Sequence, residues 1–431
     1  MEVTSNFYTV TFMFKKVNVV NVPKKLHAVT DIDTQSEVSP YDVGMTRDGV
    51  EAIWNSVEGF YKTGLQPGLS MTIRRHGEIV LNRAIGHRKI TGLDSSQVDT
   101  DHALLKTDTP ICLFSASKAI TAMLVHKLHE DGKVDLNERV ATYMPEFACN
   151  GKENITLSMV LSHRAGIPVI PMTNPHPSLL FKWDSVIDLI NSAHTGKGDG
   201  SQQAYHAIVG GYVLGEVIQR VTGKSVNDYL LDTISKPLNA KYLSYGLKAN
   251  DHQHAAHNYS TGAPPVFPIN VLAKRALNID FEKVAAISNT TDFMNSVIPA
   301  GNIYGTADDV SRFYQMMLDK GQFNGKRLFE EDTVKRATKP VGNLTVDKTL
   351  MIPMRFSEGF MLGENLFSLF GVKARKAFGH LGLINIVSWA DPTRDISVSF
   401  LNTGKSLDPR TLPALGKILI AVSRNCQPLK K

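Results

Sequence analysis

The sequence predicts an α/β protein of the α+β type: one antiparallel sheet flanked by helices, with a mainly helical region beside it. Three observations carry this. Strand-like alternation occurs twice, near the two ends of the chain. The long middle repeats its apolar residues at helical spacing. The length, 431 residues, exceeds what one small core holds. Strands at both ends with helices between them bring the two ends of the chain into one sheet. The expected division is a leader or arm at 1–45, a sheet-containing part at 46–138 and 287–431, and a helical part at 139–286.

The leader holds the apolar piece FYTVTFMF. Glu2 and no basic residue precede it, and no small-residue cleavage pattern follows, so it is a poor secretory signal and reads as a strand or an added arm. In GLSMTIRRHGEIVLNRAIG, residues 70–74 and 79–84 alternate in part around HGE, the pattern of a hairpin. After Ser115, the residues Ile120, Met123, Leu124 and Leu128 recur at helical spacing until Gly132. ITLSMVLSHRAG reads as a short helix stopped by Gly166, and SVIDLINSA as another. YHAIVGGYVLGEVIQRVTG is long and periodic through Ile208, Val209, Tyr212, Val213, Val217 and Val221. DHQHAAHNYSTGAPPVFPIN is rich in turn formers and reads as a long loop of the kind that rims a site. DDVSRFYQMMLDKG opens on an acidic cap and ends at Gly321. Finally, residues 384–389 and 396–401 alternate around the turn DPTRD.

Composition narrows the function. Apolar residues make up 42% and charged residues 20%, which suits a packed enzyme and argues against bulk disorder. The net charge is +6 without a run of five basic residues, which argues against a nucleic-acid partner. Cys112, Cys149 and Cys426 are far apart and form no C-x-x-C, so a zinc ribbon or redox pair is disfavoured and a reducing compartment fits. Cys112, in an apolar run, reads as core. No stretch approaches the ~18–20 apolar residues of a membrane span. The expectation is a cytoplasmic protein with no membrane span, no cofactor, no metal and a small-molecule substrate, its oligomeric state open. His252, His254 and His257 cluster in DHQHAAH, but the carboxylates of a dinuclear hydrolase are missing, and metal binding is set aside. His126 and His129 read as a solvated helix face, and His163 as structural. Neither a G-x-S-x-G elbow nor a P-loop is present.

The chemistry gathers at SASK. Ser115 and Lys118 form the one S-x-x-K of the chain, after the apolar run ICLF and at the start of a helix. Backbone N–H groups converge at such a start and favour a developing oxyanion. Residues i and i+3 share a face, so Lys118 lies within reach of the Ser115 hydroxyl. A serine needs a base, and a lysine serves when desolvation or a cationic neighbour lowers its pKa. On these four letters alone, a capping serine beside a surface lysine is the plainer reading.

The remaining motifs reverse it. FSASKAITAMLVHKLHEDGKVDLNERVATYMPEF resembles the class C β-lactamase-like serine hydrolases, and within them the family-eight carboxylesterases. ITLSMVLSHRAGIP, YHAIVGGYVLGEVIQRVTGKSVNDYL, PAGNIYGTADDVSRFYQMML and FGHLGLINIVSWADP resemble later segments of that family, in order, across about three quarters of the chain. The resemblance implies a β-lactamase/penicillin-binding-protein-like fold and a site in the cleft between sheet and helices. It implies Ser115 as the nucleophile that is acylated, Lys118 in its proton network, and Tyr205 as phenolate base or proton shuttle, with Lys118 supplying the positive charge a phenolate needs. It places His380 and Gly382 in the third motif, with the Leu383 N–H joining that of Ser115 in an oxyanion hole. Two departures weaken β-lactam recognition. Ala207 stands where β-lactam-binding members carry an asparagine, and His380 stands where they carry a lysine; both are familiar in the esterase branch. Leu383, Ile384 and Asn385 follow the third motif where the family often has small residues, which leaves acyl size open. The expected reaction is hydrolysis of short-chain esters. A β-lactamase, D-amino-acid peptidase or amidase, or acyltransferase with the same Ser-Lys-Tyr set is the enzymatic alternative, and a scaffold or binding protein with a relic site the non-enzymatic one.

Overall fold

The two alternating patterns fold into strands of one sheet. The structure, a computed structural model, describes residues 17–90, 103–167, 169–171, 177–265, 270–271, 274, 280–366 and 368–429. The main sheet has seven strands: β1 (Thr30–Ile32), β2 (Gly68–Arg75), β3 (Glu78–Gly86), β4 (Met361–Leu362), β5 (Phe378–Gly382), β6 (Ile386–Asp391) and β7 (Ile396–Asn402). They lie in the order β1-β3-β2-β7-β6-β5-β4, each pair antiparallel. Strands β2 and β7 pair with Val398 opposite Ile73, so the two ends of the chain meet in mid-sheet. Both are buried along their whole length, as strands covered on both faces must be.

The period of two sorts β2 between those faces. Leu69, Met71 and Ile73 face α1 (Arg47–Tyr61) and the C-terminal helix Thr411–Asn425, in a core that includes Trp54, Phe60, Trp389 and Ile418. Thr46 caps α1 by accepting the Gly49 N–H at 3.0 Å. Arg74 points the other way. It donates to Ser311 Oγ at 3.0 Å and pairs with Asp308 at 2.6 Å, both on the helix Ala307–Leu318. That helix begins with a capping box of Thr306 and Asp309.

The middle of the chain is helical. Helix α2 (Ser117–Glu130) is its axis and packs against α5 (Val209–Thr222), which also meets α3 (Leu157–Leu161) and α4 (Trp183–Ser192). Helix α2 is buried continuously from Ser117 to His126. That corrects the reading of His126 as solvated: it is 0% exposed, its Nε2 lies 2.8 Å from the Glu358 carbonyl, and burial lowers its pKa to about 4. The short helix also ends sooner than Gly166 suggests. It stops at Leu161, and the chain turns at His163 in the left-handed region, φ 59°.

FYTVTFMF lies outside the described residues. From Thr30 the chain belongs to the sheet, with Thr30 opposite Ile85. In the long loop, residues 249–254 form a 3₁₀ turn and Tyr259–Ser260 pairs in parallel with Gly404–Lys405; its 266–269 stretch lies outside the described residues. Among the described residues no helix is long and apolar enough to cross a membrane.

Candidate active site

Three neighbouring strands fix the turn that carries Ser115. Ile111–Cys112 pairs with Ile303–Gly305, placing Cys112, which is 0% exposed, opposite Tyr304. The Leu113 N–H donates to the Ile303 carbonyl at 2.8 Å, and the Ile303 N–H donates to Ser117 Oγ at 3.0 Å. Between these clamps Phe114 takes a left-handed backbone, φ 48°, and Phe114–Ala116 forms a 3₁₀ turn that feeds α2. Ser115 is left half-buried among buried neighbours. The end of β5 presses against the same turn. A Cβ on Gly382 would lie 2.1 Å from the Leu113 carbonyl oxygen, so only glycine permits the contact. The chain then reverses through Leu383 and Ile384, both left-handed, with Leu383 buried and Ile384 half-buried.

One helical turn after Ser115, Lys118 points back at it. Its Nζ donates to Ser115 Oγ at 3.2 Å and to the Ala300 carbonyl at 2.9 Å, and lies 5.0 Å from the centre of the Tyr205 ring. It has no ion-pair partner among the described residues. Burial without a counter-charge lowers its pKa from 10.5 to about 7. The Ala300 carbonyl reaches the amine because α5 approaches closely there. A Cβ on Gly211 would sit 2.5 Å from the Ala300 nitrogen.

Tyr205 precedes α5 in an irregular segment in which three successive backbone N–H groups are engaged. The Ala204 N–H donates to the His163 carbonyl at 2.9 Å, the Tyr205 N–H to Asp347 Oδ1 at 3.1 Å, and the His206 N–H to His163 Nδ1 at 3.1 Å. The His163 ring lies 4.6 Å from that of Tyr205, centre to centre, tilted by 48°. The tyrosine is 5% exposed. Burial raises its pKa above the usual phenol range, a hydrogen bond with Ser115 opposes the rise, and the Asp347 charge adds to it. Lys118 therefore does not make Tyr205 a phenolate. The amine titrates near neutrality and the phenol keeps its proton.

His380 lies 6.3 Å from the Tyr205 ring, centre to centre. Its Nδ1 is 2.7 Å from the Leu381 carbonyl, which can only accept, so the proton sits on Nδ1 and Nε2 is the bare nitrogen. Burial, with Lys118 nearby, lowers its pKa to about 3. His206 is held down to about 4 for the same two reasons. The amine of Lys118 is thus ringed by neutral imidazoles.

The structure brings Ser115, Lys118, Tyr205, His380, Gly382 and Leu383 to one place, where β5 meets the helical region. It adds groups the sequence did not single out. The Ala300 carbonyl and Asp347 gave no signal, because one is backbone and the other sits in an ordinary polar loop. Lys405 lies behind the nucleophile turn, 0% exposed, donating to the Asn402 carbonyl at 2.7 Å with Nζ 5.0 Å from the Phe114 ring centre.

An antiparallel sheet, a helical region and this Ser-Lys-Tyr grouping define a β-lactamase-like serine hydrolase. The chain belongs to the Beta-lactamase family, whose sequence model matches residues 56–421. It is 24% identical over 314 residues to the esterase/β-lactamase LipL of Mycobacterium tuberculosis, covering 68% of this chain and 69% of that protein. A penicillin-binding protein homologue from Caulobacter crescentus superposes with a TM-score of 0.73 at 26% identity, over 88% of this chain and 98% of its own. A family VIII carboxylesterase does so with a TM-score of 0.73 at 24% identity, over 89% and 99%.

Proposed function

We propose that this protein hydrolyses neutral carboxylic esters of short acyl chain through an acyl-enzyme on Ser115. One observation carries the reading: a buried amine, without a counter-charge and with its pKa near 7, lies 3.2 Å from a half-buried serine hydroxyl. Lys118 takes the Ser115 proton as Oγ bonds to the ester carbonyl carbon. The Ser115 and Leu383 N–H groups hold the resulting oxyanion; one such donor is worth roughly 3 kcal/mol in the transition state. Collapse breaks the bond to the alkoxide, which leaves with the phenol proton of Tyr205. The Tyr205 phenolate, formed beside the Lys118 ammonium, then takes a proton from water as that water attacks the acyl carbon. Oγ departs with the proton held on Lys118, and both side chains return to their starting states. No cofactor enters these steps.

The charge of the site favours an ester over a β-lactam. His380 is neutral where a lysine would attract a carboxylate, and Ala207 offers no amide to a lactam side chain. The name of a carboxylesterase among the similar proteins supports this choice, and that of an esterase/β-lactamase leaves both activities open. The test is intact mass after exposure to a fluorophosphonate, and turnover of p-nitrophenyl butyrate, with Ser115→Ala as control. A single adduct and turnover, both absent in Ser115→Ala, support the reading. Turnover that survives in Ser115→Ala places the nucleophile elsewhere. Neither adduct nor turnover in the native protein moves the scaffold reading to the front.

A further inference from the structure

Tyr205 stands on a backbone segment with no helix or strand to hold it. Such a segment positions a proton donor only if its own amides are tied down. They are tied from two sides. His163 takes the N–H groups of residues 204 and 206, and Asp347 takes the one between them. The second tie is reciprocal, since the Lys348 N–H donates to the Gln203 carbonyl at 3.0 Å. Asp347 itself sits in the turn between two short paired strands, Thr345–Val346 and Pro353–Met354. Its Oδ1 also accepts the Thr349 and Leu350 N–H groups, both at 2.9 Å. The side chain therefore joins a rigid turn to the backbone of the tyrosine through one oxygen.

The residue is costly to keep. Asp347 is 0% exposed and its Oδ2 has no partner among the described residues. Closing such a turn needs an acceptor, which a neutral asparagine provides. What the turn alone does not account for is the third N–H on Oδ1, that of Tyr205.

We propose that Asp347 is a positioning residue for the acyl-transfer reaction, its Oδ1 fixing the Tyr205 amide and with it the reach of the phenol to Ser115. The inference rests on the role given to Tyr205 above. The Asp347 charge also opposes ionisation of that phenol, which keeps the proton on the group that must donate it.

The test is a double-mutant cycle on the full chain, with kcat expressed per fluorophosphonate-labelled site so that unfolded protein does not count. Asp347→Ala should lower kcat by ~10²-fold, the scale of an ångström-sized misplacement, with KM changed by less than about threefold. Asp347→Asn, which keeps an oxygen at the same place, should recover most of that loss. In a Tyr205→Phe background Asp347→Ala should cost little more, because the group it positions is gone. If Asp347→Ala does not fold, Asp347→Glu replaces it: its extra methylene displaces the acceptor and should lower kcat in the same way. A slow Tyr205→Phe enzyme in which the Asp347 substitution costs its full amount again overturns the inference and leaves the tyrosine's role standing. So does normal kcat per labelled site in the Asp347 variant. A normal rate in Tyr205→Phe removes the tyrosine's role and the inference with it.

Discussion

Replacing Lys118 by methionine should abolish turnover and yet stabilise the fold at neutral pH. The amine is buried beside Ser115, and its pKa falls from 10.5 to about 7. At about 1.36 kcal/mol per pH unit, holding a lysine in that setting costs about 5 kcal/mol. The sign follows from proton counting. Between pH 7 and 10.5 the unfolded chain holds a proton on this lysine that the native chain does not, so stability rises with pH through that window. The cost is full below about pH 7 and gone above 10.5. Methionine has a similar length and escapes it. The two hydrogen bonds lost, to Ser115 Oγ and the Ala300 carbonyl, return about 1 kcal/mol each. Lys118→Met should therefore be more stable at pH 7 by roughly 2–3 kcal/mol, within the range known for replacing buried ions. Differential scanning calorimetry at pH 7 and pH 10 measures this. Tm should rise by ~2–3 °C at the lower pH and by clearly less at the higher, while ester turnover falls by ~10³-fold or more. A variant that is less stable at pH 7, or whose advantage grows with pH, would refute the picture of a desolvated neutral amine. A variant that still turns over would remove Lys118 from the mechanism.

Two further outcomes follow from the same geometry. For a neutral ester, kcat/KM should rise about tenfold per pH unit below pH 7 and level off above it, because the working base is the neutral amine. His380 at about 3 and His206 at about 4 titrate too low to shape that limb, so a limb near pH 4 in the rate profile would point to a histidine base instead. Gly211→Ala should reverse the usual helix preference. In an open helix interior alanine gains about 1 kcal/mol over glycine, but here the new Cβ would meet the Ala300 backbone at 2.5 Å and push its carbonyl off Lys118. Both Tm and kcat should fall, and a stabilised variant with a normal rate would show that α5 and the Ala300 segment do not pack as described.

Several parts of this protein were legible in residue order because the information is local. The hairpins at β2–β3 and β6–β7 announce themselves by alternation around HGE and DPTRD. The Ser115 and Lys118 pairing follows from the i, i+3 geometry at a helix start, and 3.2 Å between Oγ and Nζ is what that spacing allows. Tyr205 and His380 could be named from motif order, although nothing local says they meet. Other readings failed where burial overrode pattern. His126 looked solvated by its place one turn from His129, but α2 is the axis of the helical region and has no solvent face there. Lys118 was given the task of lowering the phenol's pKa, but burial raises that pKa and lowers the amine's own to about 7. Both errors have one cause: a sequence shows which groups are present and hides how much water reaches them.

The sequence by itself thus determined the sheet closed by the two ends of the chain, the serine and lysine on one helical turn, and the family to which they belong. The tertiary structure alone decided which group holds the proton. It did so by burying Lys118 without a carboxylate, by placing neutral His163, His206 and His380 around it, and by drawing Asp347 from a distant turn onto the backbone of Tyr205. Spacing along the chain sets who can be a neighbour on a helix or strand. Desolvation and contacts across more than a hundred residues set charge, and charge sets the chemistry.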